Sequence, residues 1–151
     1  MSTSTNDIAV RLQVVNGNVS GVVKSSLDKP MNVNTSQLPL IYSRWDNNLY
    51  EYGSMSVTFH YFEVVVLVNA IAQDTYPAHM KSMRQIADSI RDVYAARLHL
   101  NDDAGVSMTN IAVCEISDAR NGPPEQVGDT AYSTVRCTLA VKNISEVTVS
   151  G

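Results

Sequence analysis

The chain has 151 residues, 44% of them hydrophobic and 17% charged, with a formal net charge of −4. This length suits one domain and is enough to bury a core without metals or disulfides. The acidic balance argues against a sequence-reading nucleic-acid binder, which normally carries a basic footprint, and the low charged fraction suggests a surface partly covered by other molecules.

Ser4 or Thr5 can cap a first helix, with Asp7 in its first turn and Gly17 at its stop. Ile8, Leu12 and Val15 recur at helical spacing, with Val19 extending the series. Ile8, Val10, Leu12 and Val14 also alternate as a strand would; the cap and the stop favour the helix. Residues 21–37 hold Pro30 and many Asn and Ser, which predicts a loop with room for a short strand at Val22 and Val23. Residues 38–45 read as a strand, with Pro39 at its first residues or on an edge because it lacks an amide donor. Asp46-Asn47-Asn48 reads as a turn. Residues 49–52 would then form a short return strand, with Gly53 a bend or bulge after it.

Residues 55–72 are β-branched and aromatic, without Gly or Pro. Val57, Phe59 and Tyr61 alternate with Thr58 and His60, and from Phe62 to Val68 the apolar run is nearly continuous. That pattern predicts a long strand, central in its sheet and covered on both faces at its C-terminal end. Asp74 or Thr75 can cap a following helix, with Pro77 near its first turn. Over residues 78–98, Met80, Met83, Ile86, Ala87, Ile90, Val93, Tyr94 and Leu98 form one apolar stripe. Residues 108–117 read as a strand, and residues 118–129, with Asn-Gly-Pro-Pro, as a long exposed loop. Residues 130–143 alternate most clearly. Val135, Cys137, Leu139 and Val141 share one face, and Tyr132, Thr134, Arg136, Thr138 and Lys142 share the other. The order predicts a single α+β domain over residues 1–151. Its mixed or antiparallel sheet would have about four strands around a long central one, with the helices mainly on one face.

No chemistry-bearing constellation emerges, so no catalytic, cofactor-binding or metal-ligating residues are assigned. His60, His79 and His99 lack the i, i+4 spacing of a helical metal site, and neither a nucleophile elbow nor a phosphate loop is present. Cys114 and Cys137 read as small buried thiols; a disulfide between them is allowed but not required. Glu63 is the one carboxylate inside an apolar strand run, and Arg44 and Arg136 are its candidate partners across the sheet. Trp45, Tyr50, Tyr52 and Phe59 cluster near the expected hairpin, as a core edge or as a subunit contact; base stacking is a third reading, disfavoured by the lack of interleaved Lys and Arg. The start lacks a secretory pattern, and no apolar run approaches the ~20 residues that span a bilayer. A soluble chain made in a cytoplasm, with no membrane partner, is expected.

Several local patterns together carry a family likeness. They are the N-terminal helix, the Leu38-Pro39-Leu40-Ile41 strand entry, and the long strand ending in Glu63-Val-Val-Val-Leu-Val-Asn. The amphipathic helix, the strand from Ile111 to Ile116 and the last strand, opening with Thr130-Ala-Tyr-Ser-Thr-Val, complete the order. The chain resembles, over most of its length, the tail terminator (tail completion) proteins of long-tailed bacteriophages. The resemblance implies a non-enzymatic virion subunit, assembled in the host cytoplasm. Copies would close into a ring, usually a hexamer, at the head-proximal end of the tail tube. Its partners would be further copies of itself, the tail tube protein and the head–tail connector proteins of the neck, with genome DNA passing through unbound. Trp45, Tyr50, Tyr52, Arg120 and Glu125 are the candidate interface residues. The competing expectations are another neck component, such as a head–tail stopper, and a small enzyme or ligand-binding domain with Glu63, His60 and Arg136 near a pocket.

Overall fold

The computed structural model describes residues 3–53, 55–71 and 76–146. The elements run α1 (Thr5–Asn16), β1 (Lys24–Ser26), β2 (Leu40–Glu51), β3 (Met55–Ala70), α2 (Tyr76–Ala95), β4 (Ile111–Val127) and β5 (Thr130–Glu146). Five strands form one mixed sheet in the order β1-β2-β3-β5-β4. β1 runs parallel to β2 and every other neighbouring pair is antiparallel. The long β3 occupies the centre, as its apolar run predicts.

Period-two alternation divides the sheet into two faces. Phe62, Val64 and Val66 of β3 and Val135, Cys137, Leu139 and Val141 of β5 point into the larger core. Both helices add to that same cluster, α1 through Ile8, Leu12 and Val15, α2 through Met83, Ile86, Ile90 and Tyr94. Val65 and Leu67 face the other way, with Leu40, Tyr42, Val127 and Tyr132, and there Val33 and Leu38 of the loop before β2 cover them. The sheet thus has a helix face and an open face.

α1 is capped by Ser4, whose Oγ accepts from the Asp7 amide at 3.1 Å while the Asp7 carboxylate accepts from the Ser4 amide at 3.2 Å. Gly17 stands at its C-terminus with φ −62, so the helix stops there without the left-handed turn that makes glycine the usual choice. A buried polar chain ties the helix layer to the sheet. Tyr94 Oη donates to Asn16 Oδ1 at 2.6 Å, and Asn16 Nδ2 donates to Ser43 Oγ at 2.9 Å.

The sequence reading needs correction at several points. The sheet has five strands where about four were expected, because Lys24–Ser26 pairs with Leu40–Tyr42 just after the anticipated Val22-Val23. Asp46-Asn47-Asn48 is not a turn. β2 runs through it, and the Trp45/Asn47 register shift absorbs Asp46 as a bulge, so the hairpin bend falls after Glu51. Residues 118–129 are not a long loop. They continue β4, with register shifts at Ile116/Asp118 and Gly122/Glu125, up to a tight turn at Gly128 and Asp129. Gly128 has φ +61, and glycine in the first turn position suits a two-residue hairpin of the II′ kind. α2 ends at Ala95, which leaves Leu98 outside the stripe and half exposed. The anticipated cap at Asp74 or Thr75 lies outside the described residues.

Candidate functional site

Two groups of residues stand out, one on the open face and one on the outer arm of β2. Glu63, at the middle of β3, anchors the first. Its carboxylate meets Arg44 of β2 at 2.6 Å, Arg136 of β5 at 2.8 Å and Arg120 of β4 at 2.9 Å. Both anticipated partners are present, and Arg120 joins them. Arg44 stands directly across from Glu63, Arg136 lies diagonally on the next strand, and Arg120 reaches over from the edge. Arg120 and Arg136 are themselves direct cross-strand partners. Two like charges so placed would repel, and Glu63 between them removes that cost.

Arg136 is the hub, with only 5% of its side chain exposed. Besides Glu63 it donates to Glu125 at 2.6 Å, to the Pro123 carbonyl at 3.1 Å and to Thr134 Oγ1 at 3.2 Å. Glu125 also receives Lys29 from the covering loop at 2.5 Å. Burial works to raise the Glu125 pKa, but hydrogen bonds from Lys29 and Arg136 outweigh it and hold the carboxyl below its ordinary value. Burial likewise opposes the charge on Arg136, and its bonds to Glu125 and Glu63 override that effect and raise its pKa. Asp118 is held low, foremost by hydrogen bonding from Thr138 and further by Arg120. Tyr42, beneath the network, is pushed up to about 12, by burial first and the Glu125 charge second. Gly122 makes room for the hub. A Cβ there would fall 2.7 Å from Arg136 Cγ and 2.8 Å from Nε. A shallow groove of about 470 Å³ runs past Arg44, Asn47, Tyr61, Glu63 and Arg120.

The second group comprises Trp45, Leu49, Tyr50 and Tyr52, all exposed on β2 or just beyond it, Trp45 by 54%. β1 pairs only with Leu40–Tyr42, so residues 43–51 have no outer strand partner among the described residues. β4 forms the opposite edge of the sheet. It is blunted by its register shifts and by Pro123 and Pro124, which lack amide donors.

The structure sorts the five candidate interface residues into these two groups. Trp45, Tyr50 and Tyr52 are available at the arm. Arg120 and Glu125 are engaged in ion pairs within the chain, and Glu125 has only 12% of its side chain exposed. His60, Glu63 and Arg136 do not converge on one pocket. His60 faces the helix side, where it meets Thr5 and Asn48, whereas the other two lie on the open face. Cys114 and Cys137 are buried, free thiols, pushed up by burial to about 11 and about 12. No His, Cys, Asp and Glu cluster with metal-holding geometry exists among the described residues. No helix among them is long and apolar enough to cross a membrane. Sequence reasoning missed Lys29, Thr134 and Gly122. The register of β4 against β5 reveals Gly122 and Thr134, because it sets Gly122 beside Thr134 and Arg120 beside Arg136, whereas Lys29 joins from the loop before β2 through its ion pair with Glu125. The chain matches no protein-family model and no curated protein sequence.

Proposed function

We propose that this chain is a structural subunit that associates with copies of itself into a closed ring and acts as the terminator at the head-proximal end of a phage tail tube. The observation that carries the reading is the outer edge of β2. On their outer side, residues 43–51 offer backbone groups without a strand partner among the described residues, flanked by the exposed side chains of Trp45, Leu49 and Tyr50. An unpaired edge bearing large apolar groups favours strand addition by another polypeptide. The other edge, β4, has an unlike sequence. Pairing β2 of one copy with β4 of the next is therefore a head-to-tail contact, and such contacts build rings when their rotation closes. The register shifts and prolines of β4 restrict that pairing to a fitted partner and oppose open-ended stacking. A net charge of −4 suits a channel wall past which DNA slides, since holding phosphates takes Lys and Arg.

The ring is expected to be a hexamer, with tail tube and head–tail connector proteins as its neighbours in the virion. Adding the protein to polymerising tail tubes tests the assignment directly. A terminator halts growth and is seen by electron microscopy at tube ends, and Trp45→Asp abolishes both effects. Tubes that grow to the same lengths with and without the protein would show that it is not the terminator. A head–tail stopper, the near alternative, would leave tube length untouched and bind only finished tails.

A further inference from the structure

A second groove, of about 380 Å³, opens on the helix side of the sheet, between the start of α1 and the β2–β3 hairpin. That volume lies toward the small end of the ~300–1,000 Å³ usual for small-molecule sites. No Asp, Glu, Lys or Arg lines it. Its walls carry the hydroxyls of Thr3, Thr5, Ser56 and Thr58, and its base holds His60 and Asn143, which are 3% and 5% exposed. Tyr50 and Tyr52 stand at the rim, the latter 81% exposed.

The polar groups at the base are already oriented. His60 Nδ1 lies 3.0 Å from Asn48 Oδ1 and 3.2 Å from Thr5 Oγ1; the tautomer with its proton on Nδ1 suits the amide oxygen and leaves Nε2 to accept. Asn48 Nδ2 donates to Thr5 Oγ1 at 2.9 Å and to Tyr50 Oη at 3.2 Å. Asn143 Nδ2 donates to the Thr3 carbonyl at 2.8 Å and reaches His60 Nε2 only at 3.5 Å. Asn143 Oδ1 is buried without a donor among the described residues. A buried acceptor without a donor costs on the order of 1–3 kcal/mol.

We propose that this groove is a binding site for a neutral saccharide, whose hydroxyls donate to Asn143 Oδ1 and His60 Nε2 and whose ring lies against Tyr50 and Tyr52. The charge and the donor pattern select this class. Two adjacent buried acceptors disfavour phosphates and carboxylates, which bring more acceptors and find no cation in the lining. An organic cation would be desolvated with no carboxylate to meet it. An apolar ligand would strand the hydroxyls. Sugar hydroxyls donate and accept without net charge, and so complement a wall of Thr, Ser, Asn and His groups. The site shares Tyr50 and Tyr52 with the arm of β2, but its base, His60 and Asn143, lies away from the outer edge, so sugar binding and ring assembly are read by separate measurements.

The test is a calorimetric titration of the full chain with maltotriose, the N-acetylglucosamine trimer and galactobiose, paired with saturation-transfer NMR. Inorganic phosphate, adenosine and choline serve as controls. At least one sugar is expected to bind with a Kd of about 1 mM or tighter. Tyr52→Ala, a change at an exposed position that leaves the fold intact, is expected to weaken it by about tenfold or more, and Asn143→Leu to do the same. Absence of binding by all three sugars overturns the proposal. So does a sugar affinity that Tyr52→Ala leaves unchanged, or occupation of the groove by a control in place of a sugar.

Discussion

Replacing Arg136 by Met probes whether the open-face ionic network stabilises the fold or only decorates it. Arg136 is 5% exposed and makes close ionic bonds to Glu63 at 2.8 Å and Glu125 at 2.6 Å. Removing one partner of a buried pair typically costs about 3–5 kcal/mol, because the other charge is stranded. Here the stranding is incomplete. Glu63 keeps Arg44 and Arg120, Glu125 keeps Lys29, and the Pro123 carbonyl keeps the Thr134 hydroxyl. Methionine also fills much of the space with apolar atoms. The expected loss is therefore near the low end, about 3 kcal/mol, or a fall in Tm of about 6–12 °C. Thermal and urea unfolding followed by circular dichroism measure it. The acid limb gives a second readout. Glu125 titrates below its ordinary value in the folded chain, so the stability it contributes is present above that value and is lost as the pH falls through the lower, folded one. Without Arg136 that loss is smaller, and the variant's curve is flatter below pH ~4.5. A stability change under about 0.5 kcal/mol, with an unaltered acid limb, would refute the reasoning.

Gly122→Ala should destabilise through the same hub, by about 1–3 kcal/mol, because the new methyl meets an arginine whose guanidinium is held by two carboxylates; combining it with Arg136→Met should restore most of that loss, which a double-mutant cycle reads directly. Asn16→Leu should cost about 1–3 kcal/mol by leaving the buried Tyr94 hydroxyl and Ser43 without their shared partner; a neutral outcome in chemical denaturation would remove that chain from the list of stabilising contacts. Burial lowers the His60 pKa, so the unfolded chain binds the proton more tightly and stability should decline as the pH falls below about 6.5. His60→Gln should flatten unfolding curves between about pH 7 and 5, and an unchanged slope would show that another group sets it.

Much of the architecture was readable in the chain, for reasons visible residue by residue. β5 alternates strictly, so its two faces followed from Val135, Cys137, Leu139 and Val141 against Arg136 and Thr138. β3 carries an apolar run too continuous for an edge, and α2 carries a single stripe. Glu63 was legible because a carboxylate in such a run needs a cation, and two arginines were at hand in strands. The rest failed where composition and pairing disagree. Asp46-Asn47-Asn48 has the composition of a turn, yet one extra residue is absorbed as a bulge while the ladder continues. Residues 118–127 look like a loop because their exposed face is polar and holds two prolines; β5 imposes the strand by pairing. The signal that could have revealed it is Gly128-Asp129 between Val127 and Thr130, a two-residue hairpin turn. Arg120 and Glu125, read as contact residues on that expected loop, lie in β4, where Arg120 pairs with Glu63 and Asp118 while staying exposed and Glu125 pairs with Arg136 and Lys29.

The central claim is self-association through the β2 edge, and the mass distribution in dilute solution tests it most directly. Mass photometry across a dilution series should show one closed multiple of the 16.5 kDa chain, six-fold under the present reading, without growth to larger species. Trp45→Asp and Leu49→Asp should collapse that species to single chains. A strict monomer at every concentration, or an oligomer indifferent to both substitutions, would contradict the account.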